Sequence, residues 1–183
     1  MLEQEDKWIG IEEAADYLGV NDVTLQDITL ALMQEYDRSF SPDPDLFMDM
    51  NRFMQYHYDP AVTQARYERY RQAGDRRVFL VMTEGKPVGE IMLKHIDMGK
   101  RQAELSIHLQ NDTVKNRGIG TQAERLLLAY AFDTLHLETV LADTVLKNTR
   151  SQHVLEKVGF SFVREEGIFR YYRITRDAFT AKP

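Results

Sequence analysis

Lys115-x-x-Gly118-x-Gly120 is the stretch whose residue types and spacing best suit chemistry. Glycines at 118 and 120 let the backbone turn tightly and approach a ligand with no Cβ in the way. Where such a loop opens a helix, the N–H groups of the first turn point outward unsatisfied and suit a phosphate or pyrophosphate. Alone, Gly-x-Gly serves equally for a turn before a helix. Here it follows an alternating strand pattern and opens an amphipathic helix, and a second signature follows downstream: Asn148-x-x-Ser151, then Lys157-x-Gly159-Phe160. The two together read as a loop that cradles a pyrophosphate and a helix that pins the rest of a nucleotide-like cofactor.

Other chemistries are poorly supplied. The absence of cysteine excludes disulfides, thiolate zinc sites and a cysteine nucleophile. The five histidines (His57, His95, His108, His136, His153) show no metal-ligand spacing, so no metal is expected. Arg66, Arg69 and Arg71, with Glu68, read as a solvated helix face; Tyr171-Tyr172 could reach a substrate site or pack the last strand, and packing is the preferred reading.

These residues need elements to hold them. Val23 to Thr29 alternates as a first strand, and a helix is expected over Leu30 to Arg38. Ser41-Pro42-Asp43-Pro44-Asp45 breaks the pattern as a loop. Leu46 to Tyr58, rich in Met, Phe and Tyr, suits short helical pieces lining a pocket, or simply core. Pro60 to Ala73 starts with proline and reads as a second helix. Arg77 to Thr83 and Pro87 to His95 form a hairpin around Glu84-Gly85-Lys86. Ala103 to Leu109 places Leu105, Ile107 and Leu109 on one face and Glu104, Ser106 and His108 on the other. The glycine loop and a helix to about Leu135 follow, with Ala123, Leu126, Leu127, Tyr130 and Ala131 as its apolar stripe. Thr139 to Thr144 is a strand, Thr149 to Val158 a helix, and Phe160 to Arg164 with Ile168 to Ile174 a closing hairpin. Mixed strands and helices with antiparallel hairpins define an α+β fold, or α/β with a mixed sheet.

A chain of 183 residues suits one domain with a short appendage and can bury a sizeable core. The acidic start of the chain is not a secretory signal, and the longest apolar run, Leu126 to Phe132, is too short to span a bilayer. A cytoplasmic protein without membrane attachment is the expectation. Residues 1–60 hold 14 acids against three bases, about −11, while the remainder carries 20 bases against 15 acids, about +5. That split suits a cationic substrate beside an anionic cofactor, and equally a solvated acidic surface. Glu12 to Val20 resembles the first helix and turn of excisionase-type helix-turn-helix proteins. With one base, Lys7, against eight acids in residues 1–30, it is poorly equipped to bind nucleic acid, and none is expected as a partner.

Together the two signatures resemble those of the GNAT superfamily of acetyl-CoA-dependent N-acetyltransferases. Lys115 to Gly120 matches that family's Gln/Arg-x-x-Gly-x-Gly/Ala loop, with Lys first, and Asn148 to Phe160 matches its Asn-x-x-Ala/Ser…Lys-x-Gly-Phe. The resemblance spans roughly Val23 to Ile174 and leaves residues 1–20 as an extension, a short helix over Ile11 to Leu18, before a domain over 21–183. It implies a GNAT-like, mostly antiparallel mixed sheet with helices on both faces. It also implies acetyl-CoA as donor, bound by His108, Leu109, Gln110, Lys115, Asn116, Arg117, Gly118, Ile119, Gly120, Thr121, Asn148 and Ser151. The acceptor would be the amine of a small molecule or peptide; a homodimer stays open. An amine would attack the thioester directly, a carboxylate or a water it orders serving as base. Glu104 and Asp143 are the candidates. A backbone N–H near His108 or Leu109 would meet the oxyanion. Many members carry a Tyr seven residues after the Asn, proposed to protonate the departing thiolate; Leu155 stands there, and Ser151 matches a branch resembling ribosomal-protein N-terminal acetyltransferases, in which that Ser has the acid role. Asp43, Asp45, Asp49 and Asp59 motivate a cationic acceptor. The alternative is a GNAT-like module that binds acetyl-CoA without turnover, as a sensor or interaction domain.

Overall fold

Strand alternation and tight turns dictate the centre of the molecule. In this computed structural model, which describes residues 23–41, 57–110 and 117–180, β2 (Arg77–Thr83), β3 (Lys86–Asp97) and β4 (Gln102–Leu109) form an antiparallel meander. Its first turn is closed by Glu84 and Gly85, both at positive φ (51° and 73°). β1 (Thr24–Asp27) adds to the outer edge of β2. Beyond β4 come β5 (Thr139–Val145), β7 (Phe169–Thr175) and the edge strand β6 (Ser161–Glu166). The seven strands run β1-β2-β3-β4-β5-β7-β6, and every neighbouring pair is antiparallel except β4 and β5.

A parallel neighbour cannot be reached through a hairpin. The crossover from β4 to β5 carries α3 (Ile119–Ala129), which runs into a π-helical turn over Tyr130–Thr134. The expected single helix to Leu135 therefore changes pitch. The wide turn lets three successive side chains, Tyr130, Ala131 and Phe132, face inward and be buried.

The pleat sends alternate side chains to opposite faces. Phe79, Val81, Ile91, Leu93, Ala103, Leu105, Val140, Ala142, Tyr172 and Ile174 build the main core with α3 and α4 (Thr149–Val158), whose Leu155 and Val158 are buried. On the other face Leu80 and Met82 meet Met33 and Tyr36 of α1 (Leu30–Ser39), with Tyr67 and Tyr70 of α2 (Pro60–Gln72) against them. Helices thus cover both faces, as the α+β expectation held. A short α5 (Arg176–Thr180), absent from the sequence reading, docks Phe179 on Phe132 at 5.5 Å between ring centroids.

Arg66 departs from the solvated-face expectation. Its guanidinium lies 2.5 Å from Asp37 and 3.6 Å from Glu90, both buried, while Thr63 Oγ1 donates to Asp37 at 2.5 Å and Tyr70 Oη to Glu90 at 3.0 Å. Burial works against the arginine's charge, but Glu90 and Asp37 outweigh it and its pKa rises. This cluster locks α1, α2 and β3 together. Arg69 and Arg71 do stay exposed. Tyr172 packs in the core, whereas Tyr171, on the opposite face, does not. The expected helix at Ile11 to Leu18, most of the 41–45 loop and the aromatic stretch from Leu46 fall outside the described residues.

Candidate active site

β4 and β5 pair only from Gln102/Thr139 to Leu105/Ala142. Beyond that point Ser106–Leu109 and Asp143–Val145 have no ladder partner across this seam among the described residues. The result is an opening in the middle of the sheet, bordered by unpaired backbone.

Asp143 stands at the apex of that opening. The register puts Lys94 opposite Glu104 and Asp143 opposite Tyr171, all on the face away from the main core. Glu104 bonds to Lys94 Nζ and approaches His95 Nδ1 at 3.3 Å. It also shares a hydrogen bond with Asp143. Partial burial would raise the pKa of either acid. For Glu104, Lys94 and the hydrogen bonds from Asp143 and His95 overcome burial and hold it below the usual range. For Asp143, burial and the neighbouring Glu104 charge act together and raise it. Of the two, Glu104 holds its negative charge more firmly and Asp143 binds a proton more readily. Such a pair can accept a proton from a group delivered to the opening.

His108 lies exposed on β4. Desolvation, then the charges of Lys94 and Arg66, lower its pKa, so it is neutral at pH 7. Its backbone carbonyl accepts from Tyr36 Oη at 3.4 Å. Leu109 packs into the main core and touches both flanking glycines: a Cβ on Gly89 would lie 2.7 Å from Leu109 Cδ2, and one on Gly120 would lie 3.6 Å from Leu109 Cδ1. Gln110 is drawn the other way. It is buried, its backbone N–H donates to Val88 O at 2.8 Å, and its side-chain amide reaches Ser39 Oγ.

Gly118 caps α3 in the left-handed region (φ 80°) with no side-chain hydrogen bond to the helix. Among the described residues no side chain caps the first turn of this helix, an arrangement that suits a phosphate. Gly118 and Gly120 leave its approach open, since a Cβ at either would meet nothing closer than 3.6 Å. Ile119 is buried and can offer only its backbone, Thr121 is half-buried, and Arg117 lies exposed 3.8 Å from Glu84. Lys115 and Asn116 are outside the described residues. At the second signature, Asn148 Oδ1 accepts from the Ser151 N–H at 3.0 Å and caps α4, leaving the half-buried Ser151 on its first turn. Leu155 is 2% exposed and belongs to the core. Among the described residues no group of three or more acidic or histidine side chains is placed to hold a metal, and no helix is long and apolar enough to cross a membrane.

Sequence reasoning named the two carboxylates and left Tyr171 between the site and the core, but missed Lys94 and His95 beside Glu104. The turn after Asp97 points to a β3–β4 hairpin, but an irregularity between Lys94 and Asp97 shifts the register, so the Lys94–Glu104 pairing could not be read from it. The place of Tyr171 opposite Asp143 had no signal, because a β5–β7 register depends on the whole closing hairpin.

A sheet opened between two parallel strands, beside an uncapped helix entered through glycines, is the frame of an acetyl-transferring domain. The chain belongs to the GNAT acetyltransferases: the family's Acetyltransferase (GNAT) domain matches residues 22–161. Among individual proteins it is 27% identical over 95 residues to the spermidine N(1)-acetyltransferase of Escherichia coli (strain K12), covering 52% of this chain and 50% of that one. It is 32% identical over 80 residues to a Bacillus subtilis (strain 168) protein named "Putative ribosomal N-acetyltransferase YdaF", covering 44% and 43%. The chain thus spans about half the length of the curated relatives it matches. Its fold superposes on spermidine N-acetyltransferase from Vibrio cholerae in complex with CoA and spermine with a TM-score of 0.68 at 16% identity, covering 88% of this chain and 99% of that one.

Proposed function

We propose that this chain transfers the acetyl group of acetyl-CoA to the primary amine of a cationic acceptor, residues 1–20 forming an extension to the catalytic domain. The observation that carries the reading is the Glu104–Asp143 pair at the apex of the β4–β5 opening, on the same sheet as an uncapped, glycine-entered helix. When bound, acetyl-CoA supplies an activated acetyl thioester. The α3 N-terminus with Arg117, Gly118 and Gly120 would hold its pyrophosphate, and the unpaired edge at Ser106–Leu109 with Asn148 and Ser151 would flank the rest. Glu104 and Asp143 take the proton that an ammonium must lose before it can attack, and the neutral His108 stands on the same face of β4 as Glu104. Ser151, on the first turn of α4, is our candidate to donate a proton to the departing sulfur. Two relatives named for spermidine support a polyamine as the first acceptor to try.

The buried Leu155, which removes one family acid, favours as a second reading a domain that binds acetyl-CoA without turnover. Thiol release from acetyl-CoA on addition of spermidine, diamines or basic peptides separates the two. Amine-dependent release establishes transfer; cofactor binding without release for any amine leaves the sensor.

A further inference from the structure

Two consecutive residues of β3 hold the two oxygens of Glu104. Lys94 Nζ pairs with Oε1, and His95 Nδ1 stands 3.3 Å from Oε2. A regular strand cannot do this, because successive side chains point to opposite faces and only Lys94 is in register with Glu104. The chain manages it by breaking the ladder. An irregularity between Lys94 and Asp97 shifts the register of β3 on β4, and inside it His95 takes the left-handed region at φ 52°. Lys94 and Ile96 would share a face in an unbroken strand. Here Ile96 packs against the main core while Lys94 meets Glu104 on the opposite face, so the alternation is reset at His95.

A residue with a Cβ enters the left-handed region at a cost and stays there only where its surroundings hold it. The next residue supplies the hold: the Ile96 N–H donates to Asp75 O at 2.9 Å, and its side chain is set in the core. Breaks of this kind re-aim a side chain, and they recur beside active sites. The partner fixes the chemistry of the imidazole. An ionised carboxylate only accepts, so Nδ1 carries a proton and donates it to Oε2, on a side chain that is 65% exposed. Glu104 is thus met by Lys94 and His95 from β3 and by Asp143 from β5.

We propose that His95 is a positioning residue for the base: the register break aims its Nδ1–H at Glu104 Oε2, and with Lys94 on Oε1 it keeps Glu104 ionised and in one orientation beside Asp143. The proposal rests on the acetyltransferase reading, in which this pair takes the acceptor's proton. A charge held on Glu104 makes Asp143 the better proton acceptor. One N–H bond of the ammonium breaks, an O–H bond forms on Asp143, and the electron pair left on nitrogen becomes the nucleophile. Glu104 keeps its charge throughout.

Two variants separate the imidazole from the backbone that carries it. His95→Gly takes the left-handed conformation without strain and has no donor. His95→Asn tolerates that conformation and offers an amide N–H in the place of Nδ1. The readouts are the titration of the Glu104 carboxyl by carbon NMR, kcat for 1,4-diaminobutane, Kd for CoA, and Tm. In His95→Gly the Glu104 midpoint should rise by about 0.2–0.7 of a pH unit and kcat should fall about two- to fivefold, the scale of one exposed charged contact. Its CoA affinity should be unchanged and its Tm at or above wild type, and His95→Asn should recover most of both losses. An unmoved Glu104 midpoint or an unchanged kcat in His95→Gly overturns the proposal, as do equal losses in the two variants. A Tm well below wild type in His95→Gly overturns it too, since the imidazole would then serve the fold. Failure of the acetyltransferase reading looks different: the wild type then releases no thiol with any amine. The order of the midpoints, wild type and His95→Asn below His95→Gly, would still uphold the hold on Glu104, and its absence would refute it.

Discussion

Glu104 and Asp143 carry most of the chemistry proposed here, and their shifts point in opposite directions for different reasons. Lys94 and the hydrogen bonds from Asp143 and His95 prevail over burial at Glu104, whereas burial and the Glu104 charge add up at Asp143. Linkage gives the sign of each. The depressed Glu104 contributes stability that is present above the ordinary carboxylate pKa and lost as pH falls through its folded value. The raised Asp143 contributes stability that is full below the ordinary carboxylate pKa and lost as pH rises through its folded value. For activity only the base form counts, so kcat/KM should rise with pH as Asp143, the more readily protonated of the two, gives up its proton. Asp143→Asn removes the group that holds this proton, and the acid limb of the pH profile should move to lower pH, with kcat/KM reduced about 10²-fold or more. An acid limb that stays where it was would remove Asp143 from the proton path.

At the scale of elements, two positions decide whether the opening keeps its shape. Gly89 on β3 lies so close to β4 that a Cβ there would sit 2.9 Å from the His108 carbonyl oxygen as well as 2.7 Å from Leu109 Cδ2. Backbone cannot yield as a flexible side chain can. Gly89→Ala should cost about 1–3 kcal/mol in denaturant unfolding and lower turnover by shifting the His108–Leu109 edge. Glu124 is the opposite case, a carboxyl in the middle of α3 that is 2% exposed, with Oε2 unpartnered and a pKa pushed up by burial to about 8. The unfolded chain is ionised above the ordinary carboxylate pKa while the folded protein stays protonated. Stability should therefore fall by about 1.4 kcal/mol per pH unit from the usual range up to about pH 8, then level off. Glu124→Gln should flatten that slope, as urea unfolding at several pH values would show.

Element order, the strand hairpins and both signatures were legible because periodicity and turn chemistry are local. Alternation over Ala103 to Leu109 put Glu104 and His108 on one face, as the register has them. Arg66 was not legible: its partners Asp37 and Glu90 lie on other elements, and helical spacing alone made it a surface cation. The π-helical turn was hidden too, since Tyr130, Ala131 and Phe132 fit an ordinary helix in sequence. For the site, residue types were readable but the grouping of Lys94, Glu104, Asp143 and Tyr171 on one face was not, because it exists only once four strands are in register.

The molecule as a whole divides its labour between two sheet faces. One is filled by the main core and carries α3, entered through Gly118; the other carries Lys94, Glu104, Asp143 and Tyr171 and, among the described residues, is covered in part by α1 and α2. The buried Arg66 cluster fixes that partial cover in place. Arg66→Ala leaves Asp37 and Glu90 buried without their cation and should cost about 3 kcal/mol, read as a lower denaturation midpoint. Binding of acetyl-CoA at a hundredfold excess over Kd should add about 2.7 kcal/mol, a rise in Tm of roughly 5–11 °C for a chain of this size. Gly120→Glu should abolish the rise while leaving the unliganded melt near wild type, because a Cβ fits at 3.6 Å from Leu109 and only the longer acidic chain obstructs the helix entrance.

The most direct measurement is mass spectrometry of spermidine after incubation with acetyl-CoA and either wild-type protein or the Glu104→Gln/Asp143→Asn double variant. The wild type should give acetylated amine, and the double variant should form it at least a hundredfold more slowly with its acetyl-CoA-dependent melt intact. Undiminished acetylation by the double variant would contradict the role given to the carboxyl pair. Acetylation of neither spermidine nor any other cationic amine by the wild type would contradict the function itself.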